Sequence, residues 1–208
     1  RQSLSVTCDR LGRMAREKGG DAGEKEAAHW YRKSLELDEQ NYQENPGQKS
    51  RRNLSVTCGT LGDIALERRS PEAEAEAEGW YRRCLVLDEE SYRENPSRAC
   101  RRNLAVTLER LGELAERRKE YEAAEEWYRK AMVLYEQNLQ EKPDQSGRRS
   151  AGVLYQMLGI LLQNAYGAER LVQVMEWYRK ALALFEKNVE EKPTYFNIRI
   201  RCNLLTES

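Results

Sequence analysis

EWYRKAMVLYE, residues 126–136, is one of four closely similar phrases in this chain of 208 residues. The others are HWYRKSLELDE at 29–39, GWYRRCLVLDE at 79–89 and EWYRKALALFE at 176–186. Each phrase contains a Trp-Tyr doublet, and the four tyrosines are 50, 47 and 50 residues apart, at Tyr31, Tyr81, Tyr128 and Tyr178. Such a doublet marks either a site that is used four times or a structural element that is built four times.

Two further markers recur together with the doublet. A Leu-Gly pair precedes each doublet, with its glycine at Gly12, Gly62, Gly112 and Gly159. A proline follows each doublet tyrosine by 15 residues, at Pro46, Pro96, Pro143 and Pro193. A period of this length is typical of a solenoid of helical repeats. We place the repeats at 1–46, 47–96, 97–143 and 144–193, with a partial unit or capping helix at 194–208.

Each repeat is predicted to contain two amphipathic helices. In residues 101–118 the apolar side chains are spaced by three and four, as in Leu104, Leu108 and Leu111. The stretch from Ala124 to Pro143 contains a second stripe of the same kind, which the proline ends. No segment alternates apolar and polar residues over a useful length, so we predict an all-α chain with no strands.

The composition argues against several classes of partner. The chain has 35 basic and 35 acidic side chains, so no excess charge attracts nucleic acid or anionic lipid. No apolar run approaches the roughly 18–20 residues that span a bilayer. We therefore expect no nucleic acid and no membrane as partner, and we expect a monomer. The chain begins in mid-pattern at Arg1 without an initiating methionine, which suggests a piece of a longer protein.

The cysteines and the histidine indicate neither disulfides nor a metal site. The five cysteines are odd in number, widely spread and never arranged as C-x-x-C, which favours free, buried thiols. We therefore predict a cytoplasmic protein. The single histidine, His29, has no cysteine within a helical turn, so we expect no metal and no cofactor.

The markers resemble the tetratricopeptide repeat, whose pattern places Leu-Gly on the first helix and an Ala, an aromatic residue, a small residue and a proline on the second. In the third repeat the pattern is matched without a gap by Leu111, Gly112, Ala124, Tyr128 and Ala131. The period of about 50 exceeds the usual 34, so the chain is most similar to the long-helix bacterial-type variants. The resemblance implies an α-solenoid: a right-handed superhelix of four extended helix-turn-helix repeats and a partial fifth.

The doublet tyrosines have two interpretations. Stacked repeats need one apolar helix face each, because no repeat can bury that face alone, which makes the doublet part of the core. An aromatic ladder that stacks nucleic-acid bases would instead require exposed rings along a basic groove. The absence of excess positive charge favours the core.

The resemblance also implies a ligand groove on the concave face, which the first helices line. Its groove positions, carried over by their offset from each Leu-Gly glycine, are Asp9, Arg13, Arg16, Asp63, Leu66, Glu67, Glu109, Glu113, Glu116, Gln156, Ile160 and Gln163. One turn earlier, a rail along one rim is expected from Arg52 with Asn53, Arg102 with Asn103, and Arg149 with Ser150. The carboxylates from Asp63 to Glu116 would form a negative patch for a partner with a basic centre. The alternatives are a merely solvated face and, for each Asn, a structural bridge between repeats.

The sequence favours an interaction module over an enzyme. It has no Gly-rich phosphate loop, no H-E-x-x-H and no cysteine paired with a histidine, so we expect no catalysis. The resemblance implies a scaffold that binds a peptide or partner protein in the groove. Two alternatives stay open: a ligand-sensing regulatory region that controls an attached effector domain, and RNA binding along the arginine rail.

Overall fold

The structure is a computed structural model that describes residues 2–191, and within these residues every regular element is helical. The elements are α1 (Gln2–Lys18), α2 (Gly20–Glu44), α3 (Gln48–Glu67), α4 (Pro71–Glu94), α5 (Arg98–Arg117), α6 (Tyr121–Glu141), α7 (Gln145–Tyr166), a short 3-10 helix at Gly167–Arg170, and α8 (Leu171–Glu191). The predicted all-α class is confirmed. The partial unit predicted at 194–208, with a helix beginning near Phe196, lies outside the described residues.

The helices pair as four hairpins that are distributed over two compact units. The first unit, Arg1–Pro96, contains the hairpins α1–α2 and α3–α4, and α2 also packs on α3. The second unit, Ser97–Ser208, contains the hairpins α5–α6 and α7–α8, and α6 also packs on α7. The described parts of α1–α2, α3–α4, α5–α6 and α7–α8 lie within residues 1–46, 47–96, 97–143 and 144–193, respectively.

Polar residues in the connections start several of the helices. The hydroxyl of Ser70 accepts a hydrogen bond from the backbone N–H of Ala73 at 3.2 Å, and Pro71 follows at the first helical position. The carboxylate of Asp144 accepts one from the backbone N–H of Gly147 at 2.8 Å. These contacts satisfy N–H groups that have no partner inside the helix, which fixes where α4 and α7 begin.

The glycine of each Leu-Gly pair lies directly against the doublet tyrosine of the same hairpin. A Cβ placed on Gly62 would be 2.4 Å from Cε1 of Tyr81, and one on Gly112 would be 2.4 Å from Cε1 of Tyr128. The same contact occurs in the first and fourth hairpins. All four doublet tyrosines are at most 9% exposed, so these tyrosines belong to the core and do not form an exposed aromatic ladder.

A second repeated contact lies at the end of three hairpins where the first helix begins and the second helix ends. Arg51, near the start of α3, forms a two-pronged ion pair with Glu94 at the end of α4, with N–O distances of 2.7 and 2.8 Å. At equivalent positions Arg101 pairs with Glu141, and Arg148 with Glu191. Arginine and carboxylate form strong, directional pairs of this kind, so the contact fixes how the two helices of a hairpin meet.

Buried amides support the same contact in the second unit. The Nε of Arg101 donates to Oδ1 of Asn138 at 2.7 Å, and Nε of Arg148 donates to Oδ1 of Asn188 at 2.7 Å. Each asparagine in turn donates to a backbone carbonyl at the start of the first helix, Asn138 to Arg98 at 3.2 Å. The arginine therefore has two side-chain partners on the second helix.

The cysteines within the described residues are buried free thiols, as predicted. They are Cys8, Cys58, Cys84 and Cys100, and Cys202 lies outside that part of the chain. Cys58 and Cys84 share a core cluster with Leu54 and Leu87. These thiols act as small apolar side chains between α3 and α4.

The glycine–tyrosine contact predicts opposite effects for two alanine substitutions in one hairpin. Gly62→Ala should destabilise the chain by about 1–3 kcal/mol, because the new methyl group collides with a buried ring. Gly79→Ala, on α4, has nothing within 4 Å of the added Cβ and should be neutral or stabilising by up to about 1 kcal/mol. Urea denaturation of both variants tests the difference. Equal stability of the two would show that the ring and the glycine are not closely packed.

Candidate functional site: the outer faces of the first helices

The predicted groove residues lie on the first helix of each hairpin. In the first unit they belong to α1 and α3, and in the second unit to α5 and α7. The side chains divide into those that are exposed and those that the structure uses for internal contacts.

In the first unit, Arg13 and Arg52 are exposed, as a ligand-binding role requires. Arg16 forms an ion pair with Glu67, which links the end of α1 to the end of α3. Glu67 is exposed, and such surface pairs contribute little to stability because water screens them. The pair nevertheless gives each of these two charges a partner within the unit.

Asp9 is half-buried rather than freely exposed. Burial raises the pKa of its carboxyl above the ordinary value, and the hydroxyl of Ser34 only partly opposes this effect. The neighbouring carboxylate of Asp38 raises the pKa further. Asp38 is itself buried and accepts hydrogen bonds from Ser5 at 2.6 Å and Thr57 at 2.7 Å, which ties α1, α2 and α3 together. Asp9 therefore borders a buried polar cluster.

The predicted groove position Leu66 requires a correction. Its side chain is 8% exposed, so it belongs to the core and cannot line a binding surface. At the same offset from the Leu-Gly glycine the second unit has Glu116 and Gln163, whose polar ends reach a tyrosine hydroxyl. A leucine has no such partner, and burying its apolar surface is favourable.

The doublet tyrosines use three of the predicted groove residues as hydrogen-bond acceptors. The hydroxyl of Tyr81 donates to Asp63 at 2.8 Å. In the second unit Tyr128 donates to Glu116 at 3.1 Å, and Tyr178 lies 3.2 Å from Oε1 of Gln163. A buried tyrosine needs a partner for its hydroxyl, so part of this polar surface has a structural role.

Glu109 has a strongly perturbed carboxyl group. Burial raises the pKa of its carboxyl to about 7, and the carboxylate of Glu113 adds to this effect, whereas hydrogen bonding with Tyr135 and the charge of Arg110 oppose it. Glu109 is therefore partly protonated near neutral pH. Glu113 is exposed, and Glu116 is half-buried beside Tyr128. The predicted negative patch is weaker in this unit than the count of carboxylates implied.

The predicted arginine rail is exposed, whereas its asparagines are not. Arg52, Arg102 and Arg149 are exposed, and Asn53 and Asn103 are half-buried. The Nδ2 atom of Asn53 is buried and has no hydrogen-bond partner. The asparagines therefore sit between the rail and the core, and bridging between repeats stays a prediction.

On α7 the predicted residues present a less charged surface. Gln156 is half-buried, Gln163 is exposed and Ile160 is 36% exposed, which is high for a large apolar side chain. Ile160 lies seven residues after Val153, on the same side of the helix, and Val153 is also exposed. This part of the second unit offers apolar surface to solvent.

One repeated feature was not selected as a site from the sequence. A valine precedes each Leu-Gly glycine by six residues, at Val6, Val56, Val106 and Val153. Val6 is 41% exposed, Val56 is 52% and Val153 is 37%, and Val106 is half-buried. The recurrence of valine at one offset was the available signal, but an apolar residue on a helix is ordinarily assigned to the core.

Two site classes receive no support from the described residues. Between residues 2 and 191, no group of three or more histidine, cysteine or acidic side chains is arranged to hold a metal ion. No helix in that range combines the length and the apolar character needed to cross a membrane.

Solved structures of several other proteins are similar to this chain in fold. The crystal structure of BtubC (BKLC) from P. vanneervenii matches 89% of this chain and 74% of that chain, with a TM-score of 0.59 and 17% identity. A thermophilic TPR protein of Thermus thermophilus matches 97% of this chain and 99% of that chain, with 18% identity and a TM-score of 0.37. A TPR repeats protein of Bacteroides fragilis matches 98% and 99%, with 15% identity and a TM-score of 0.34.

These likenesses concern the fold and not the function. No family model matches the chain, and no curated protein matches it either. The chain has an all-α helical-repeat fold, and each of the four described hairpins contains the glycine–tyrosine contact. What its outer surfaces bind must be argued from the residues themselves.

The raised pKa of Glu109 predicts a pH-dependent stability. Its pKa is about 7 in the folded chain and near 4.5 when exposed, so between these values the folded chain keeps a proton that the unfolded chain has released. This contribution is therefore full below pH 4.5 and is lost as the pH rises through 7. Glu109→Gln stays neutral and should be more stable than the parent at pH 8 by about 2–3 kcal/mol, with a smaller difference at pH 5. Urea denaturation at both pH values provides the measurement.

Glu36→Gln is the matched control for this measurement, because Glu36 is exposed on α2. Its effect on stability should be small and the same at the two pH values. A Glu109→Gln variant that behaved like this control would contradict the burial of the Glu109 carboxyl.

Proposed function

We propose that the chain is a protein-interaction module that binds a peptide or partner protein on the outer faces of its first helices. The observation that carries the proposal is the exposure of a valine at one position of three repeats, in each compact unit taken by itself. Exposing Val6, Val56 and Val153 gains nothing for folding, because an exposed apolar side chain contributes little to the core. Exposed apolar residues bordered by polar ones are typical of binding surfaces.

The neighbours of the valines supply the polar border. On α3, Arg52 lies one turn before Val56 and Asp63 two turns after it, on the same side of the helix. On α7, Arg149 and Ile160 take the equivalent places around Val153. An apolar centre with charged surroundings is the usual composition of a transient interface. The partner surface would therefore need an apolar side chain flanked by polar groups.

The charge of the partner is less restricted than the sequence suggested. A basic centre would require several carboxylates that are available for it. Asp63 and Glu116 already accept hydrogen bonds from tyrosines, Glu67 pairs with Arg16, and Glu109 is partly protonated near neutral pH. We therefore base the proposal on the apolar positions and assign no charge to the centre of the partner.

The alternatives gain no support of their own. No feature of the described residues favours a ligand-sensing region that controls an effector domain, and the proposal includes no catalytic step. The exposed arginines Arg52, Arg102 and Arg149 keep RNA as an outcome of the test below, since phosphate contacts would make binding strongly salt-dependent.

A matched pair of substitutions in one hairpin tests the proposal. Peptides are first selected against the chain from a random display library, and their affinities are measured by fluorescence anisotropy. Val56→Lys on α3 should weaken the selected peptides at least about tenfold, because it places a charge at the apolar centre of the interface. Val86→Lys on α4 is the control, since Val86 is 55% exposed on a second helix. It should leave the affinities unchanged.

Three results would refute the proposal. They are the recovery of no peptide, equal loss in both variants, and undiminished binding to Val56→Lys. A further comparison with a mixed RNA pool separates the remaining alternative, because salt-dependent binding of RNA without any selected peptide would assign the surface to nucleic acid.

A further inference from the structure

A cavity of about 280 Å³ opens within the second unit, where α5 begins, α6 ends and α7 begins. It is lined by Arg98, Ala99, Arg102, Tyr135, Asn138, Asp144, Ser146, Gly147 and Ser150. Only Arg102 and Ser150 of these residues belong to the arginine rail that the sequence predicted. The cavity therefore combines part of that rail with residues that the sequence did not single out.

The buried wall of the cavity is already satisfied by internal contacts. Asn138 accepts a hydrogen bond from Arg101 and donates one to the carbonyl of Arg98. Burial raises the pKa of the Tyr135 hydroxyl, the nearby carboxylate of Glu109 raises it further, and Arg102 and Ser150 oppose the change. Tyr135 is therefore a neutral phenol, and this wall carries no charge.

The charged groups lie at the rim of the cavity. Arg98 donates to Oδ2 of Asp144 at 2.8 Å and to the carbonyl of Lys142 at 3.1 Å. Hydrogen bonds from Gly147 and Arg98 lower the pKa of Asp144, so its carboxylate is ionised. Two arginines against one aspartate leave a net charge of +1 on the lining.

Neither arginine uses all of its donors in the internal contacts of residues 2–191. The Nε of Arg98 is buried and has no hydrogen-bond partner. Arg102 is exposed and forms no ion pair within residues 2–191. A buried N–H without an acceptor is unfavourable, so an acceptor beside the Nε of Arg98 would be stabilising.

The second and fourth repeats lack this arrangement. Arg98 and Arg102 are four residues apart and therefore lie on one side of α5. At the equivalent places α3 has Gln48 with Arg52 and α7 has Gln145 with Arg149, so neither supplies a second arginine. The contacts that the hairpins share, such as the glycine–tyrosine contact, therefore form without this pair of arginines.

We infer that this cavity is a binding site for a single oxyanion group, a phosphate or a carboxylate, held by Arg98 and Arg102. The hydroxyl of Ser146 lies at the same rim and can add a donor. Guanidinium groups pair with carboxylates and phosphates through two parallel N–H donors, and the unused groups of the rim are donors. A cavity of about 280 Å³ holds such a group and lies below the usual range for a drug-sized ligand.

The inference is independent of the proposed peptide-binding function, because Arg98 and Arg102 can bind a small free anion whether or not the chain binds a peptide. The structural alternative is that Arg98 only fixes the connection around Lys142 and Asp144. That role uses one terminal nitrogen of Arg98 and leaves both its Nε and the whole guanidinium of Arg102 unexplained.

Titration with inorganic phosphate and, in a second arm, with acetate tests the site. Binding is followed by the ¹H–¹⁵N NMR signals of Ser146, Gly147 and the arginine Nε groups, with total ionic strength held constant by chloride. We expect saturable shifts with a Kd on the order of 10 mM or below for at least one of the two anions. The arm that saturates at lower concentration distinguishes a phosphate site from a carboxylate site.

Arg102→Gln should weaken the binding at least about tenfold, because it removes one of two charged contacts. Arg52→Gln, the equivalent substitution in the second repeat, is the control and should leave the Kd unchanged. Ser146→Asp gives a second variant that spares both arginines, and its added negative charge should abolish binding. Circular dichroism confirms that each variant is folded.

The absence of saturable shifts with both anions would overturn the inference, as would equal affinity in Arg102→Gln and in Arg52→Gln. Neither result affects the peptide-binding proposal, whose test depends on Val56. Conversely, loss of peptide binding in Val56→Lys leaves the anion titration unchanged.

Discussion

The close contact between a glycine on the first helix and a tyrosine ring on the second is the constraint on which every hairpin depends. The ring lies where any larger residue would place its Cβ, as at Gly62 and Tyr81 or Gly112 and Tyr128. A glycine within a helix is unfavourable by itself, so its recurrence reflects packing and not helix propensity. The second helix approaches closely because the first helix has no side chain at this point.

The same tyrosine also shapes the outer surface, since its ring is buried while its hydroxyl needs a partner. Asp63, Glu116 and Gln163 supply that partner from the first helices. At the other end of three hairpins an arginine of the first helix pairs with a glutamate of the second, as Arg51 does with Glu94. Each of these three hairpins is thus tied by one packed aromatic residue and by polar contacts at both sides of it.

The repeats differ at positions that take no part in these shared contacts. Seven residues after the doublet tyrosine the chain has Asp38, Tyr135 and Phe185 in the first, third and fourth repeats. Asp38 accepts hydrogen bonds from two hydroxyl groups. Tyr135 lies beside Glu109 and lines the cavity next to Arg102. Phe185 packs on Gly152. One buried position therefore gives the first, third and fourth repeats distinct environments, although the helices around it are equivalent.

The sequence by itself determined the helices and the burial of the doublet tyrosines and of the described cysteines. These features follow from local spacing, because apolar residues three and four apart form one face of a helix wherever the helix lies. The sequence did not determine which individual side chains are exposed, charged or paired. Leu66 is buried, Asp9 and Glu109 have raised pKa values, and Arg101 pairs with Glu141, 40 residues later. Only the tertiary structure decided these points, because the charge and the partners of a side chain depend on groups that are distant along the chain and on the water that packing excludes.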